Sequence, residues 1–474
     1  MTSPNISFNQ IPNSIRKPGR YFEFNNSLAV RTLPSAAQRI LVIAQRLTTA
    51  PAPVNTVVQI FDAETAAVQF GRGSQCHRMV VDILQTNPYA RLFVCPITDA
   101  AGAVAATATI TITGTATAAG SLDLNLAGAQ VQLAVATADT ATAVATAIVA
   151  AVTARPELPF TAASAAGVVT LTARNQGTVG NALRVAATAN ATGITAVAAA
   201  AFTGGVSDPD ITAALAAVQS GGHEIIVVPY QASGPLQILR THLNFVSGPM
   251  EQRSAVGVFA LTSTLATATT LSAALNSERL TGAVLPGTFT PAEEVAAAYA
   301  AVIAAEEDPA RPLNTLVLTS VQAPAIASRL TRTEQETALA NGITPLEVQP
   351  GEQVGVVRAI TTYTLNALGV TDISYLDLTT VRTLDFVRRA VRERVTLRFP
   401  RDKLSERTAA RVRSEVLDVL LKLQELEIVE AVQANQPALV VERATVDPNR
   451  LNVRIPVDVV NGLHVLAGRI DLLL

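Results

Sequence analysis

The chain changes its hydrophobic rhythm several times. From position 39, short apolar runs without alternation are separated by helical stretches: "RILVIAQ", then "CHRMVVDILQTN", then "RLFVCPI". The same rhythm resumes at Asp208. There "DPDITAALAAVQS" predicts a helix with Asp208 or Asp210 as N-cap. "EIIVVPY", "AVGVFAL", "LTGAVLP" and "NTLVLTS" predict strands, and "GPLQILRTHLNFV" and "LATATTLSAALNS" predict helices. "PAEEVAAAYAAVIAAEE" predicts a further helix, with proline in its first turn. Strands that do not alternate, interleaved with helices, imply a parallel sheet covered on both faces. Residues 36–97 and 207–380 therefore read as one α/β domain.

The interruption at 98–206 has a different period. "ATATITITGTAT" alternates strictly, "VQLAVAT", "GVVTLTAR" and "ALRVAATA" are strand-like, and "TATAVATAIVAAVTA" is helix-like. Strands parted by Gly, Asn and Asp predict an inserted, mostly β domain. Residues 381–462 change the pattern again. A basic helical stretch, "TLDFVRRAVRERVTLRF", precedes a long amphipathic helix opening at Ser405. A strand pair, "LVVERATVD" and "RLNVRIPVDVV", turns at "DPN", so this part reads as an α+β C-terminal domain. Both ends look different again. Residues 1–35 alternate briefly around Pro12, Pro18 and Gly19, and 463–474 finish on "GRIDLLL"; both predict extended arms.

Composition narrows the function classes. The 474 residues are 49% hydrophobic but only 4% aromatic, with no Trp and a net charge of −2, so no global attraction to nucleic acid or anionic membrane is expected. The long apolar stretches are Ala/Thr-rich and broken by polar residues, so no membrane span is expected. The polar start "MTSPNISFNQIPNS" predicts no signal peptide. Cys76 and Cys95 read as small core residues in a reducing cytoplasm. Charge is organised in one place: residues 382–413 hold eleven Lys/Arg against four Asp/Glu, a net +7, and 414–430 carry a net −4. Such a run fits a protein contact, a solvated face or a nucleic-acid groove, though it lacks the interleaved aromatics that stack bases.

The sequence offers no convergent chemistry, so neither a catalytic, a cofactor nor a metal site is expected. The histidines at 77, 223, 242 and 464 are far apart, and "HEII" lacks the second His of a zinc-protease helix. "GRGSQC" lacks the third glycine of a dinucleotide fingerprint. "GTFTPAEEVAAAYAAV" is similar to the subtilase segment in which a nucleophilic serine opens an Ala-rich helix. Phe289 stands at the nucleophile position, and a phenyl ring cannot attack a carbonyl.

Several stretches together resemble the tail sheath proteins of Mu-like contractile phages. They are "ISFNQIPNSIRKPGRYFEFNNSLAV" with "RILVIAQRL", "GNALRV" and "GGVSDPDI", "RPLNTLVLTSV", "RLTRTEQETALANGI", "RAITTYT" and "VRTLDFVRRAVRERVTLRFPRDKL". The resemblance covers nearly the whole chain, in order. It implies a non-enzymatic structural subunit with a subtilase-like core, found in the virion and assembled in the host cytoplasm. It further implies stacked hexameric rings around a tail tube, with baseplate and tail terminator proteins as further partners, and contraction that drives the tube through the host envelope. No nucleic-acid partner and no direct membrane insertion follow from it. It implies arms that add strands to neighbouring copies, here through Ile6, Phe8, Tyr21, Phe24, Leu463, Val465, Ile470 and Leu472. It implies a tube-facing C-terminal domain, for which Arg398, Arg401, Lys403, Arg407 and Arg411 are the candidates. The sheath of a phage-derived bacteriocin or secretion-like injection system shares this architecture.

Overall fold

In the computed structural model, which describes residues 17, 19–20, 38–199 and 201–472, the first element is a strand buried on both faces. β1 (Arg39–Gln45) is apolar from Ile40 to Ala44 and fully buried there. β2 (Val58–Ile60), α1 (Ala63–Phe70), α2 (Gln75–Thr86) and β3 (Arg91–Ile97) follow. Asp62 and Ser74 cap the two helices, their side chains accepting the backbone N–H of Thr65 and His77. β1 pairs in parallel with β3, setting Ile40 beside Leu92 and Val42 beside Val94. β2 closes the outer side of β3 antiparallel.

The chain then leaves this sheet. β4 (Thr107–Gly114), β5 (Gly120–Leu126), β6 (Ala129–Val135), α3 (Ala141–Thr153), β7 (Phe160–Ala165), β8 (Val168–Ala173), β9 (Val185–Ala189) and β10 (Ile194–Ala198) form two small antiparallel sheets, ordered β10-β4-β8-β7 and β6-β5-β9. The alternation in β4 points Ala108, Ile110 and Ile112 inward, where they meet Leu122 and Leu124 of β5 and Ile148 of α3. Phe160 packs on Phe202 at 5.4 Å between ring centroids. At the neck, Val104 bridges Val206 and Thr107 bridges Thr203.

Beyond the neck come α4 (Thr212–Val218), β11 (Ile225–Val227), α5 (Ser233–Ser247), β12 (Val256–Leu261), α6 (Leu265–Leu275), β13 (Leu280–Val284), α7 (Ala292–Ala305), α8 (Arg332–Ala340), β14 (Thr344–Gln349) and β15 (Gln353–Val356). The large sheet runs β15-β14-β13-β12-β11-β1-β3-β2, parallel inside and antiparallel at both edges. α1, α2 and α7 cover one face; α4, α5 and α6 cover the other. α7 is buried almost end to end, and its alanines let it lie close against the strands. Its Tyr299 hydroxyl keeps a partner in this apolar setting, Thr281 Oγ1 at 3.0 Å. The last part holds α9 (Leu378–Arg398), α10 (Glu406–Glu425), β16 (Val429–Glu430), α11 (Val432–Asn435), β17 (Val440–Arg443), β18 (Leu451–Arg454) and β19 (Asp458–Val459). Its strands form two two-stranded ribbons, β16-β19 and β17-β18.

Three sequence expectations change. "NTLVLTS" is not a strand: Thr315 has φ 65°, and the slot beside β13 is taken by β14. The segment instead runs along β15, with Thr315 N–H donating to Val356 O and Leu318 N–H to Val354 O, each at 2.8 Å. This loop shields an edge strand that would otherwise offer open backbone groups. Residues 463–472, expected as an extended arm, form neither helix nor strand. Helix α4 starts at Thr212; Asp210 accepts its N–H at 2.9 Å, while Asp208 reaches across to accept the N–H of Thr178 at 2.6 Å. Pro291 stands one residue ahead of α7, at its N-cap.

Gly282 on β13 lies under the Phe259 ring and Ile343, and a Cβ there would collide with both. Gly282→Ala should destabilise the chain by about 1–3 kcal/mol through overpacking, read as a lower denaturant midpoint.

Candidate assembly surfaces

In a sheet of this topology ligands settle outside the carboxyl ends of the strands, where strand order reverses. Here that point lies at the end of β1, between β3 and β11. It is filled by the inserted β structure. Gln45 donates to Asp99 Oδ1 at 2.6 Å and to the Gln176 carbonyl at 2.8 Å. Asn175 accepts the N–H of Gln75 at 3.0 Å, at the start of α2, and donates to Arg46 O at 3.1 Å. On the α7 side the Arg184 guanidinium sits 5.3 Å from the Phe289 ring centroid, and Asn125 donates to Gln322 at 3.2 Å. The donors that could grip a substrate hold the insert instead. Cys76 and Cys95 are buried thiols, pushed up by burial, the latter to about 11. Phe93 packs against His223, whose pKa burial pulls down to about 4.

Between α2 and α7 lies a buried ionic cluster. Arg78 bridges Glu293 and Glu294, and Asp82 sits one turn along the same helix. Three carboxyls face one guanidinium. Burial, opposed by Arg78 and reinforced by Glu293, raises Glu294 to about 7, and burial with Glu294 nearby raises Asp82 well above the carboxylate range.

α9 belongs to two cores. Leu378 and Val381 pack beneath the large sheet, whereas Phe386, Val387 and Ala390 pack with Val416, Leu420 and Leu423 of α10. At the changeover Asp385 accepts from both Arg279 nitrogens, at 2.5 and 3.1 Å, and from Arg388 at 3.0 Å. Further along, Arg394 pairs with Glu415 at 3.3 Å and Asp418 at 2.9 Å. The five basic candidates separate around the α9–α10 turn. Arg398 leans on Glu415 at 3.6 Å, and Arg411 pairs with Asp402 at 2.9 Å while covering the Phe399 ring. Arg401, Lys403 and Arg407 face solvent.

The C-terminal segment presents apolar side chains to water: Leu463, Val465, Leu466, Ile470 and Leu472 are each at least 78% exposed. Its root is held where His464 Nδ1 meets Asn314 Nδ2 at 3.0 Å, with Asp377 3.7 Å from the other ring nitrogen. Ile6, Phe8, Tyr21 and Phe24 lie outside the described residues. A second apolar patch was not foreseen: Leu368, Val370 and Ile373 project from the loop ahead of α9. Among the described residues no helix is long and apolar enough to cross a membrane.

Comparison with known proteins matches these parts in order. The family models describing a phage tail sheath β-sandwich domain, central domain and C-terminal domain match residues 101–208, 204–362 and 370–472. The Mu-like prophage FluMu tail sheath protein of Haemophilus influenzae is 33% identical over 99% of this chain and all of its own. This chain belongs to the phage tail sheath protein family. Sheath tail proteins of Desulfitobacterium hafniense and Listeria innocua share the fold at 14% identity, with TM-scores of 0.52 and 0.51. The first match covers 94% of this chain and 97% of the other, the second 91% and 94%. A chain of the anti-feeding prophage baseplate matches at TM-score 0.50 and 10% identity, covering 97% of this chain and all of that one.

Two ionic features of this sheath protein also escaped the sequence reading. The Arg78 cluster joins residues 215 and 216 positions apart, so no local pattern reveals it. The Asp385 clasp depends on Arg279, 106 positions away, although the spacing of Asp385 and Arg388 on one helical face was visible.

The cluster predicts a pH signature. A carboxyl whose folded pKa is raised adds stability below its unfolded value of 4.5 and loses it as pH climbs through about 7. The neutral buried histidines act in the opposite direction, so the comparison is with Glu294→Gln, which keeps them. Relative to that variant, the wild-type sheath protein should lose up to about 3 kcal/mol between pH 4.5 and 7.5, read from urea midpoints.

Proposed function

We propose that this sheath protein polymerises as stacked hexameric rings around a tail tube and contracts to drive that tube through the host envelope. The observation that carries the reading is the exposed apolar tail, 463–472, on a chain whose other large apolar residues are mostly buried. A lone strand is unstable in water. Added to a neighbour's sheet edge it gains backbone hydrogen bonds and buries alternate side chains. Each Leu or Ile so buried is worth about 1.5–3 kcal/mol, enough for a few residues to hold two copies together. The alternation around Ile6, Phe8, Tyr21 and Phe24 suits the same role at the other end.

The parts divide the work. Residues 1–35 and 463–474 are the linking arms. The segments 36–97 and 207–380 form a subtilase-like core domain without catalytic function, 98–206 the outward domain, and 381–462 the tube-facing domain. Arg401, Lys403 and Arg407, with Arg398 and Arg411 behind them, grip an acidic tube surface before contraction. Electrostatic grips release without breaking a packed core. Baseplate and terminator proteins bound the polymer, which forms in the host cytoplasm and ends in the virion.

Removing 465–474, which keeps the His464 anchor, should leave a folded monomer with a thermal midpoint within about 2 °C of wild type, because exposed residues contribute little to one chain. Electron microscopy should then show no tubes or polysheath; tubes as abundant as those of the wild type would refute the arm. Changing Arg401, Lys403 and Arg407 together to Gln should leave self-assembly intact and weaken tube binding at low salt. The deficit should close as ionic strength approaches about 1 M, where the Debye length is near 3 Å.

A further inference from the structure

A cleft of about 360 Å³ opens between the amino ends of β1, β11 and β12 and residues 382–393 of α9. It lies at the opposite end of the sheet from the crevice that the insert fills. Its walls are unusually rich in arginine. Three are neutralised: Arg39 by Glu224 at 3.2 Å, Arg253 by Glu251 at 2.7 Å, and Arg388 by Asp385 at 3.0 Å. Three show no carboxylate partner among the described residues. Arg382 is buried and donates only to the Glu306 carbonyl, leaving Nε and Nη1 without acceptors. Arg389 stacks on the Phe386 ring with its Nε likewise unsatisfied. Arg392 reaches only the neutral oxygens of Gln252, at 3.1 Å. The rim carboxylates Glu307 and Glu393 face solvent.

A buried guanidinium with no carboxylate in direct contact is costly and needs a reason. Desolvation outweighs Glu306 and Asp308 and pulls Arg382 down to about 10, as expected of a cation kept short of anions. Arg388 is lowered too, by burial and then by Arg279 and Arg392 beside it, against the pull of Asp385. Positions 382, 389 and 392 share one face of α9 at spacings of seven and three, so one rigid helix presents all three forks. Planar guanidinium forks match oxyanions through paired N–H···O bonds.

We propose that this cleft is an oxyanion site, in which Arg382, Arg389 and Arg392 hold a phosphate or carboxylate group. The group has two possible sources, a free anion or an acidic side chain of a second copy. Only the second source rests on the sheath reading.

The full-length chain is titrated with inorganic phosphate at constant ionic strength set by chloride. The expected result is a saturable rise in thermal midpoint, at least about tenfold weaker in the double variant R389Q/R392Q. Both substitutions are at partly exposed positions, and circular dichroism of the apo variant checks the fold. Equal stabilisation of variant and wild type, or none beyond chloride, overturns the site. A second arm adds phosphate during wild-type polymerisation. Inhibition at the concentration that saturates the monomer assigns the natural ligand to a second copy's carboxylate. Unchanged tubes with a phosphate-binding monomer assign it to a free anion. A wild-type chain that binds phosphate but never forms tubes sinks the sheath reading alone.

Discussion

One helix serves two hydrophobic cores, and this limits how the molecule moves. α9 has 21 residues and spans about 32 Å. Its first turn is part of the packing under the large sheet, and its middle belongs to the layer built with α10. The two cores cannot turn against each other unless the helix bends or the Arg279–Asp385–Arg388 clasp opens. Those ion pairs are largely withdrawn from water, where breaking one partner leaves a stranded charge. In the contraction proposed above, displacements between copies would arise outside this joint, in terminal segments and exposed loops.

The polar groups of the core follow a similar economy. The crevice at the carboxyl ends of the sheet is where related topologies place substrates. Here Gln45, Gln75, Asp99 and Asn175 spend their hydrogen bonds on one another and on backbone. The place that holds ligands in other sheets of this topology is here a socket for another part of the same chain. Fold alone therefore does not assign activity.

The central strands were legible because each is a run of apolar residues with no polar face, and β4 because its threonines alternate so strictly. The short strands β2 and β15 and the helices α1 and α8 were less so. Three or four residues carry too little pattern, and α8 buries only Ala338. "NTLVLTS" misled for a physical reason: Leu318 is buried and Leu316 half-buried against the core, as strand residues would be, but on a loop path beside β15. The basic stretch was visible as composition. Its division into paired, solvent-facing and unpaired arginines depends on segments 222–224, 252–254 and 279, which no window along α9 contains.

The neck of the inserted β structure has a consequence for how such chains vary. Val104 meets Val206 and Thr107 meets Thr203, so the chain departs and returns side by side. Seen from the eight-stranded sheet, everything from 107 to 203 is topologically a long hairpin. A module mounted this way is exchangeable: its size and outer surface can diverge without disturbing strand order, provided something still occupies the place of Asn175 over the start of α2.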